Sequence, residues 1–347
     1  MPAPTILLPQ DPLNPRRVDP HYSYEAQLVR GLGGETALID HDALLAGDAA
    51  EAVRRVPPGI GPAWYRGWML PVPAYAAFVR ALADRGCNLL TSAAAYATAH
   101  ELPGWYSTFE GATPDSVWLA AEHHPGELAD AVARLGGHGP AIVKDFVKSR
   151  KHQWHEACFV PELADLPAVA RVVDRFVELQ GEFLAGGVVL RRFHSFVPPA
   201  EGSGGRSRTT ARVAAPAGAT VGRSADPTGD PAGDPAGDPT GGAGSGTRVG
   251  AGTVTGAERA AEARVWWVDG EPVLTGPHPD TPEVFPAPDL TQVRSLVRAL
   301  GCRFVTTDLA LLADGGGWMV VEVGDGQVSD LPRGTEVSGL LSSLIST

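Results

Sequence analysis

The chain has 347 residues, 44% of them hydrophobic and 20% charged, with a formal net charge of −12, the profile of a soluble protein long enough for two or three packed units. That acidity speaks against a broad footprint for nucleic acid or an anionic membrane; no apolar run nears the about 18 residues of a membrane span, and the N-terminus lacks a signal-peptide pattern. Three widely spaced cysteines, Cys87, Cys158 and Cys302, form no CxxC pair, which disfavours a disulfide framework or zinc site and fits a reducing cytoplasm.

In chain order, Thr5-Ile6-Leu7-Leu8 reads as a strand, residues 74–85 as a helix and residues 88–91 as a strand, sketching an N-terminal α/β unit over residues 1–110. Arg66 and His100, with aromatic neighbours Trp64, Tyr65, Trp68, Trp105 and Tyr106, are candidates for a substrate pocket. Core packing accounts for most of those aromatics, and Arg66 is the member it explains least. Leu128, Val132 and Leu135 then fall at helical spacing, ahead of a strand over 141–147, a basic loop, a short strand over 157–160 and a helix over 166–184. Lys144 lies inside the first of these strands, where its charge needs a partner. Lys148, Ser149 and Lys151 follow in the loop and could cover a triphosphate with ammonium and hydroxyl donors; a solvated turn is the plainer reading. The strand over 187–196 carries Arg191, Arg192, Phe193 and His194, and arginines at such a place either bind phosphate or cap a sheet edge.

Residues 201–261 contain no Leu, Ile, Met, Phe, Tyr or Trp and repeat Asp-Pro-x-Gly. Such a stretch cannot build a core and is expected to be a disordered insertion that interrupts one domain. Beyond it, Glu262 to Leu274 turns at Asp269-Gly270 as a hairpin. Alternation sets Arg264 with Trp266 and Val268, a charge at the end of a partly buried strand. Its guanidinium suits phosphate oxygens, bidentately, with an ion pair to Glu262 or Glu271 as the plainer fate. A helix over 291–300 precedes a last hairpin of two apolar runs, 302–312 and 318–326, joined by a glycine-rich connector. With a tight loop at Asp314 to Gly316 and a constant register, Asp308 lies opposite Glu322. Directly opposed residues have Cβ atoms about 4.5–5.5 Å apart and like charges there repel, so a cation should join them. Mg²⁺ is commonly held by one or two carboxylates with substrate phosphates.

This order of features resembles the ATP-grasp superfamily, and its R-two-K clade in particular. The residues that carry the likeness are Ile142 to Ser149 with Trp154, Val189 to Phe193, Glu262 to Val265 with Asp269-Gly270, Phe304 to Asp308, and Val321 to Val328; Trp64 to Met69 and Tyr96 to Pro103 add to it. The resemblance implies an α/β (α+β) fold: an N-terminal α/β region (1–110) ahead of two α+β subdomains, 111–200 and 262–347, that grip ATP on either side of the insertion. It implies that Lys144 and Lys148 contact ATP phosphates, with Ser149 and Lys151 beside them, that the backbone around Arg192 to His194 hydrogen-bonds adenine, with Arg191 and Phe193 in the same nucleotide-binding set, and that Asp308 and Glu322 ligate Mg²⁺. Lys148 and Arg264 would stabilise the transferring phosphoryl group. Where many ATP-grasp enzymes continue Glu-x-Asn, this chain has Gly324, and the nearest oxygen donor, Asp325, is the candidate third ligand. The loop after Lys144 lacks the usual glycines, so its closure should depend on side chains. The activity implied is an ATP-dependent carboxylate–amine ligase working through an acyl phosphate on amino-acid or peptide-like substrates; a small-molecule kinase and a non-catalytic nucleotide-binding scaffold stay open beside it.

Overall fold

The computed structural model describes residues 2–198, 260–279, 287–332 and 335–347; the expected insertion, apart from its last two residues, lies outside the described residues. Ile6, Leu7 and Leu8 are fully buried, as befits a parallel strand covered on both faces. They belong to β1 (Thr5–Asp11), which is antiparallel at its far end to β2 (Asn14–Val18) and parallel to β3 (Thr36–Ile39) and β4 (Gly61–Tyr65); β5 (Cys87–Leu89) extends the sheet beyond β4. Around it lie α1 (Ser23–Gly31), α2 (His41–Leu45), α3 (Ala49–Ala52), α4 (Val72–Ala83), α5 (Ala93–His100) and α6 (Leu102–Phe109). The period of two decides which core each residue joins. Leu7 and Tyr65 pack with Phe78 and Leu82 of α4, while Ile6, Leu8 and Trp64 point to the opposite face with Val29 of α1.

The second sheet is antiparallel, in the order β6 (Ser116–Ala120), β9 (Gly187–Arg192), β7 (Ala141–Asp145), β8 (Phe159–Val160). One face is covered by α7 (Pro125–Arg134), α8 (Trp154–Ala157) and α9 (Leu166–Gln180), with Val143, Val188 and Leu190 against Leu128, Val132, Val173 and Phe176. The other face carries Lys144, paired with Val189, and Arg191, paired with Ile142. The strand expected from residue 157 starts two residues later, because Trp154 opens the short α8 and stacks on Phe159 with ring centroids 5.2 Å apart.

The third sheet runs β11 (Glu271–Pro277), β10 (Glu262–Val268), β12 (Phe304–Leu311), β13 (Trp318–Asp325), antiparallel throughout. Asp269 and Gly270 join β10 to β11 at φ 50° and 78°, the left-handed pair a two-residue hairpin turn requires. One face packs Val265, Trp267, Val305 and Val323 against α6 and α10 (Thr291–Leu300). The other is divided along its length. At one end Trp266, Val268 and Phe304 join Trp64 and Leu340, Leu341 and Leu344 of α11 (Ser338–Ser346); at the other, the same face ends in Arg264, Asp308 and Glu322. Among the described residues no helix is long and apolar enough to cross a membrane.

Candidate functional site

Arg264, Asp308 and Glu322 form one row across three strands, Arg264 paired with Asp308 and Asp308 with Glu322. The expected opposition of the two acids is therefore present, but by a different count. From Leu311–Trp318 to Leu309–Val320 the partners sit one residue off the constant register, and a bulge at Val321 restores it before Asp308 meets Glu322. Each acid is also met by a separate cation of the chain. Nε and Nη2 of Arg264 donate to the two Asp308 oxygens at 2.7 and 2.8 Å, and Lys144 Nζ lies 3.9 Å from Glu322. This corrects the plainer reading of Arg264, since Glu271 instead pairs with Arg294 and Arg298. Burial works to raise the Asp308 pKa, but the charge and hydrogen bonds of Arg264 outweigh it and hold the carboxyl below its usual range. Burial moves Lys144 the other way, lowering its pKa against the opposing pull of Glu322.

The basic loop is fastened by a buried side chain, in keeping with its lack of glycines. Asp145 Oδ1 accepts from the backbone N–H of Val147 at 2.7 Å and also from that of Lys148, while Oδ2 accepts from Gln180 Nε2 at 2.7 Å. The turn so formed brings Lys148, Ser149 and Lys151, with Lys144, to a cavity of about 550 Å³. Arg264, Asp308, Glu322 and His100 line it too. His100 stacks on Tyr96 with ring centroids 4.8 Å apart, and burial lowers its pKa to about 4, so the ring is neutral at pH 7.

Several expected residues stand elsewhere. Arg66 is 1% exposed and does not line the cavity: Nε and Nη2 pair with Glu25 at 2.9 and 2.8 Å, and Nη1 donates to the carbonyls of Gly326, Gln327 and Ser329. Its hydrogen bonds clamp the turn after β13. Arg191 is buried over Trp105 and donates to Thr113 Oγ1 at 2.7 Å, and burial lowers its pKa to about 10 against the pull of Glu322. Arg192 donates to the carbonyls of Leu135 and His138, closing the C-terminal end of α7. The N–H groups of Arg192 and Phe193, expected to face adenine, donate to Asp115 and Pro140 at 2.8 and 3.0 Å. Phe193 packs on Trp154 and Phe159, and His194 lies beside Phe196; none of the four residues 191–194 lines the cavity.

Asp325 reaches the cavity, but strand alternation turns its side chain away from the Asp308–Glu322 face. Its Oδ1 accepts from N and Nε2 of Gln327 at 2.9 and 3.0 Å, its Oδ2 is buried without a partner, and burial pushes its pKa up to about 7 against those hydrogen bonds. It is thus not placed as a third ligand beside the pair. At Gly324 a Cβ would lie 3.0 Å from Thr306 Oγ1 and 3.5 Å from Ser329 Oγ, two hydroxyls bonded to each other at 2.8 Å. They fill the space where a side chain would project. Hard oxygen donors from Asp308, Glu322, Thr306 and Ser329 therefore line one cavity, a set that suits Mg²⁺.

Sequence reasoning passes over Thr306, Ser329 and His278, which also line the cavity, and Glu262 as anything beyond an ion-pair partner. Counting out from the Asp269-Gly270 turn brings His278 within one residue of facing Glu262, and the bulge between Trp266 and Trp267 supplies the difference.

A cavity lined by the lysines of β7 and its following loop and by the Arg–Asp–Glu row of the third sheet is the arrangement of an ATP-grasp protein. The chain matches the family model of the ATP-grasp domain, R-two-K clade family 3, over residues 134–221 and 241–344, and belongs to that family. Its fold is similar to that of D-cycloserine synthetase DcsG (TM-score 0.56, 12% identity, covering 99% of this chain and 98% of that one). It is similar also to a RimK domain ATP-grasp protein from Sphaerobacter thermophilus DSM 20745 (TM-score 0.51, 14% identity, 99% of this chain and 100% of that one). No curated protein matches its sequence.

Proposed function

We propose that the chain is an ATP-dependent ligase joining a carboxylate to an amine through an acyl phosphate, with amino-acid or peptide-like substrates. The observation that carries this reading is the Arg264–Asp308–Glu322 row lining one cavity with Lys144 and Lys148. In the reaction a carboxylate oxygen takes the γ-phosphoryl group of ATP and ADP departs; the amine nitrogen then bonds to the acyl carbon, phosphate leaves and the amine gives up a proton. Phosphoryl transfer of this kind is governed by positioning and charge rather than by a side-chain nucleophile. Lys144, held deep in β7, and Lys148, on the loop fastened by Asp145, meet the phosphate oxygens, with Ser149 and Lys151 beside them. Arg264 offers a planar fork whose orientation Asp308 fixes. Mg²⁺ held by Asp308 and Glu322 would neutralise charge between the phosphates. His100, neutral and at the cavity wall, accompanies the acceptor. Buried cysteines outside any disulfide, Cys87, Cys158 and Cys302, suit a reducing cytoplasm.

The test is ADP release from ATP over a panel of amino acids and short peptides, with mass spectrometry of the products and Asp308→Asn as control. Ligation requires both a carboxylate and an amine before a condensed product appears. A phosphorylated single substrate would replace this reading with a kinase, and Mg-ATP binding and turnover unchanged in both Asp308→Asn and Glu322→Gln would end the metal assignment.

A further inference from the structure

On the β11 side of the row, Glu262 and His278 close on Asp308. Glu262 precedes Arg264 by two residues and so shares its face, and the His278 N–H donates to the Glu262 carbonyl at 2.9 Å, carrying the β11 pairing past Pro277. This brings His278 Nε2 to 3.5 Å from Asp308 Oδ2, and one ligand atom from each of the three residues within 4.8 Å of the others. Glu262 and His278 are each 9% exposed and Asp308 3%, so little bulk water competes for these atoms. The 3.5 Å separation is long for a hydrogen bond, which prefers about 2.7–3.2 Å. Two ligands of one ion can take that spacing, since with bonds of about 2.0–2.2 Å neighbouring ligands sit roughly 2.8–3.6 Å apart; the three atoms, within 4.8 Å of one another, would draw closer around an ion.

We propose that Glu262, His278 and Asp308 form a binding site for a divalent transition-metal ion of the Mn²⁺ or Zn²⁺ class, distinct in ligand set from the Asp308–Glu322 pair. The imidazole sets its preference, because nitrogen donors favour such ions over Mg²⁺, which takes oxygen ligands. Asp308 can serve while Arg264 holds it, since an ionised carboxylate has about four acceptor positions and Arg264 takes two. Lys151, whose Nζ is 3.8 Å from Glu262 on a side chain 54% exposed, supplies the charge there in the metal-free protein and swings out to solvent when an ion enters. His278 and Asp308 line the cavity, so the ion has an open side toward substrate.

The test is a titration of the full chain, without nucleotide, with Mn²⁺, following the free ion by EPR in an excess of Mg²⁺. One saturable site should appear that Zn²⁺ displaces and Mg²⁺ does not. His278→Ala and Glu262→Gln should each weaken it at least about tenfold, and Glu322→Gln should leave it within about twofold. Pulsed EPR on the unsubstituted protein reads the same assignment without a variant, through nitrogen coupling from an imidazole ligand. No saturable site without nucleotide, no nitrogen coupling, or a site lost in Glu322→Gln and kept in His278→Ala would overturn the assignment. Because the assay holds neither nucleotide nor acceptor, its outcome is independent of ligation.

Discussion

Replacing Asp308 with Asn should destabilise the protein before any nucleotide is added, because the carboxylate is the buried counter-charge of Arg264. The two side chains are 3% and 12% exposed and share hydrogen bonds of 2.7 and 2.8 Å. With charge centres about 4 Å apart and an effective dielectric constant of about 20, the attraction is about 4 kcal/mol, and removing one member of a buried pair costs about 3–5 kcal/mol. Asn keeps one carbonyl acceptor, which sets the expected loss for Asp308→Asn near the lower bound, at about 3 kcal/mol. Arg264→Met with Asp308→Asn removes both charges, and such double replacements are often close to neutral. A double-mutant cycle by urea unfolding, read by tryptophan fluorescence, should therefore give a coupling of at least about 2 kcal/mol, well above the about 0.5 kcal/mol within which independent sites add. Coupling below that level would refute the pairing as an energetic unit. The pH dependence has a definite sign. The folded pKa of Asp308 lies below its unfolded value of about 3.9, so its contribution is present above that pH and is lost as the pH falls through the folded pKa. Asp308→Asn should remove this acid limb, and loss of turnover in that variant counts against the metal site only at temperatures where it remains folded.

Asp325 behaves in the opposite sense. With its folded pKa pushed up to about 7, its contribution is full below the unfolded pKa of about 3.9 and declines as the pH rises through 7; Asp325→Asn should flatten Tm between about pH 4 and 7 and exceed the unsubstituted protein at pH 8, and parallel Tm curves would exclude a buried neutral acid. Arg66→Met leaves Glu25 buried without its partner, for an expected loss of about 3–5 kcal/mol. Adding Glu25→Leu should recover most of that in a urea midpoint, and no recovery would mean that the carbonyl contacts, not the ion pair, carry the stability. Arg192→Ala removes two donors from the end of α7, an expected loss of about 1–2 kcal/mol, while Mg-ATP affinity by calorimetry stays within about twofold. A tenfold fall in that affinity would return Arg192 to the nucleotide site.

The parts of the site legible in the sequence are those set by local periodicity. Lys144 is placed by its apolar strand, Arg264 by alternation with Trp266, and the Asp308–Glu322 opposition by a hairpin. Even there the count from the turn is off by one, and an unpredicted bulge at Val321 compensates; bulges insert a residue without a sequence signature as plain as a turn's. The failures come from partners far apart in the chain. Arg66 meets Glu25 41 residues away and the 326–329 turn some 260 residues away, so in the sequence a buried arginine that fixes structure looks like one that binds substrate. At the exit of β9 the arginines and backbone amides find carbonyl acceptors on neighbouring loops, partners no strand pattern displays. His278 escapes notice because the prolines on either side suggest a loop and hide the continuation of β11.

The packing of α11 on the first sheet has a consequence for synthesis. Trp64 donates its indole N–H to the carbonyl of Leu344, 280 residues later, and the α11 leucines cover the face that Ile6 and Leu8 present. At about 5–20 residues per second of translation, roughly 14–56 s separate the appearance of that face from the arrival of its cover. For this interval the nascent N-terminal sheet has only α1 over that apolar face, which makes truncation of the last ten residues a route to aggregation rather than to a smaller folded protein.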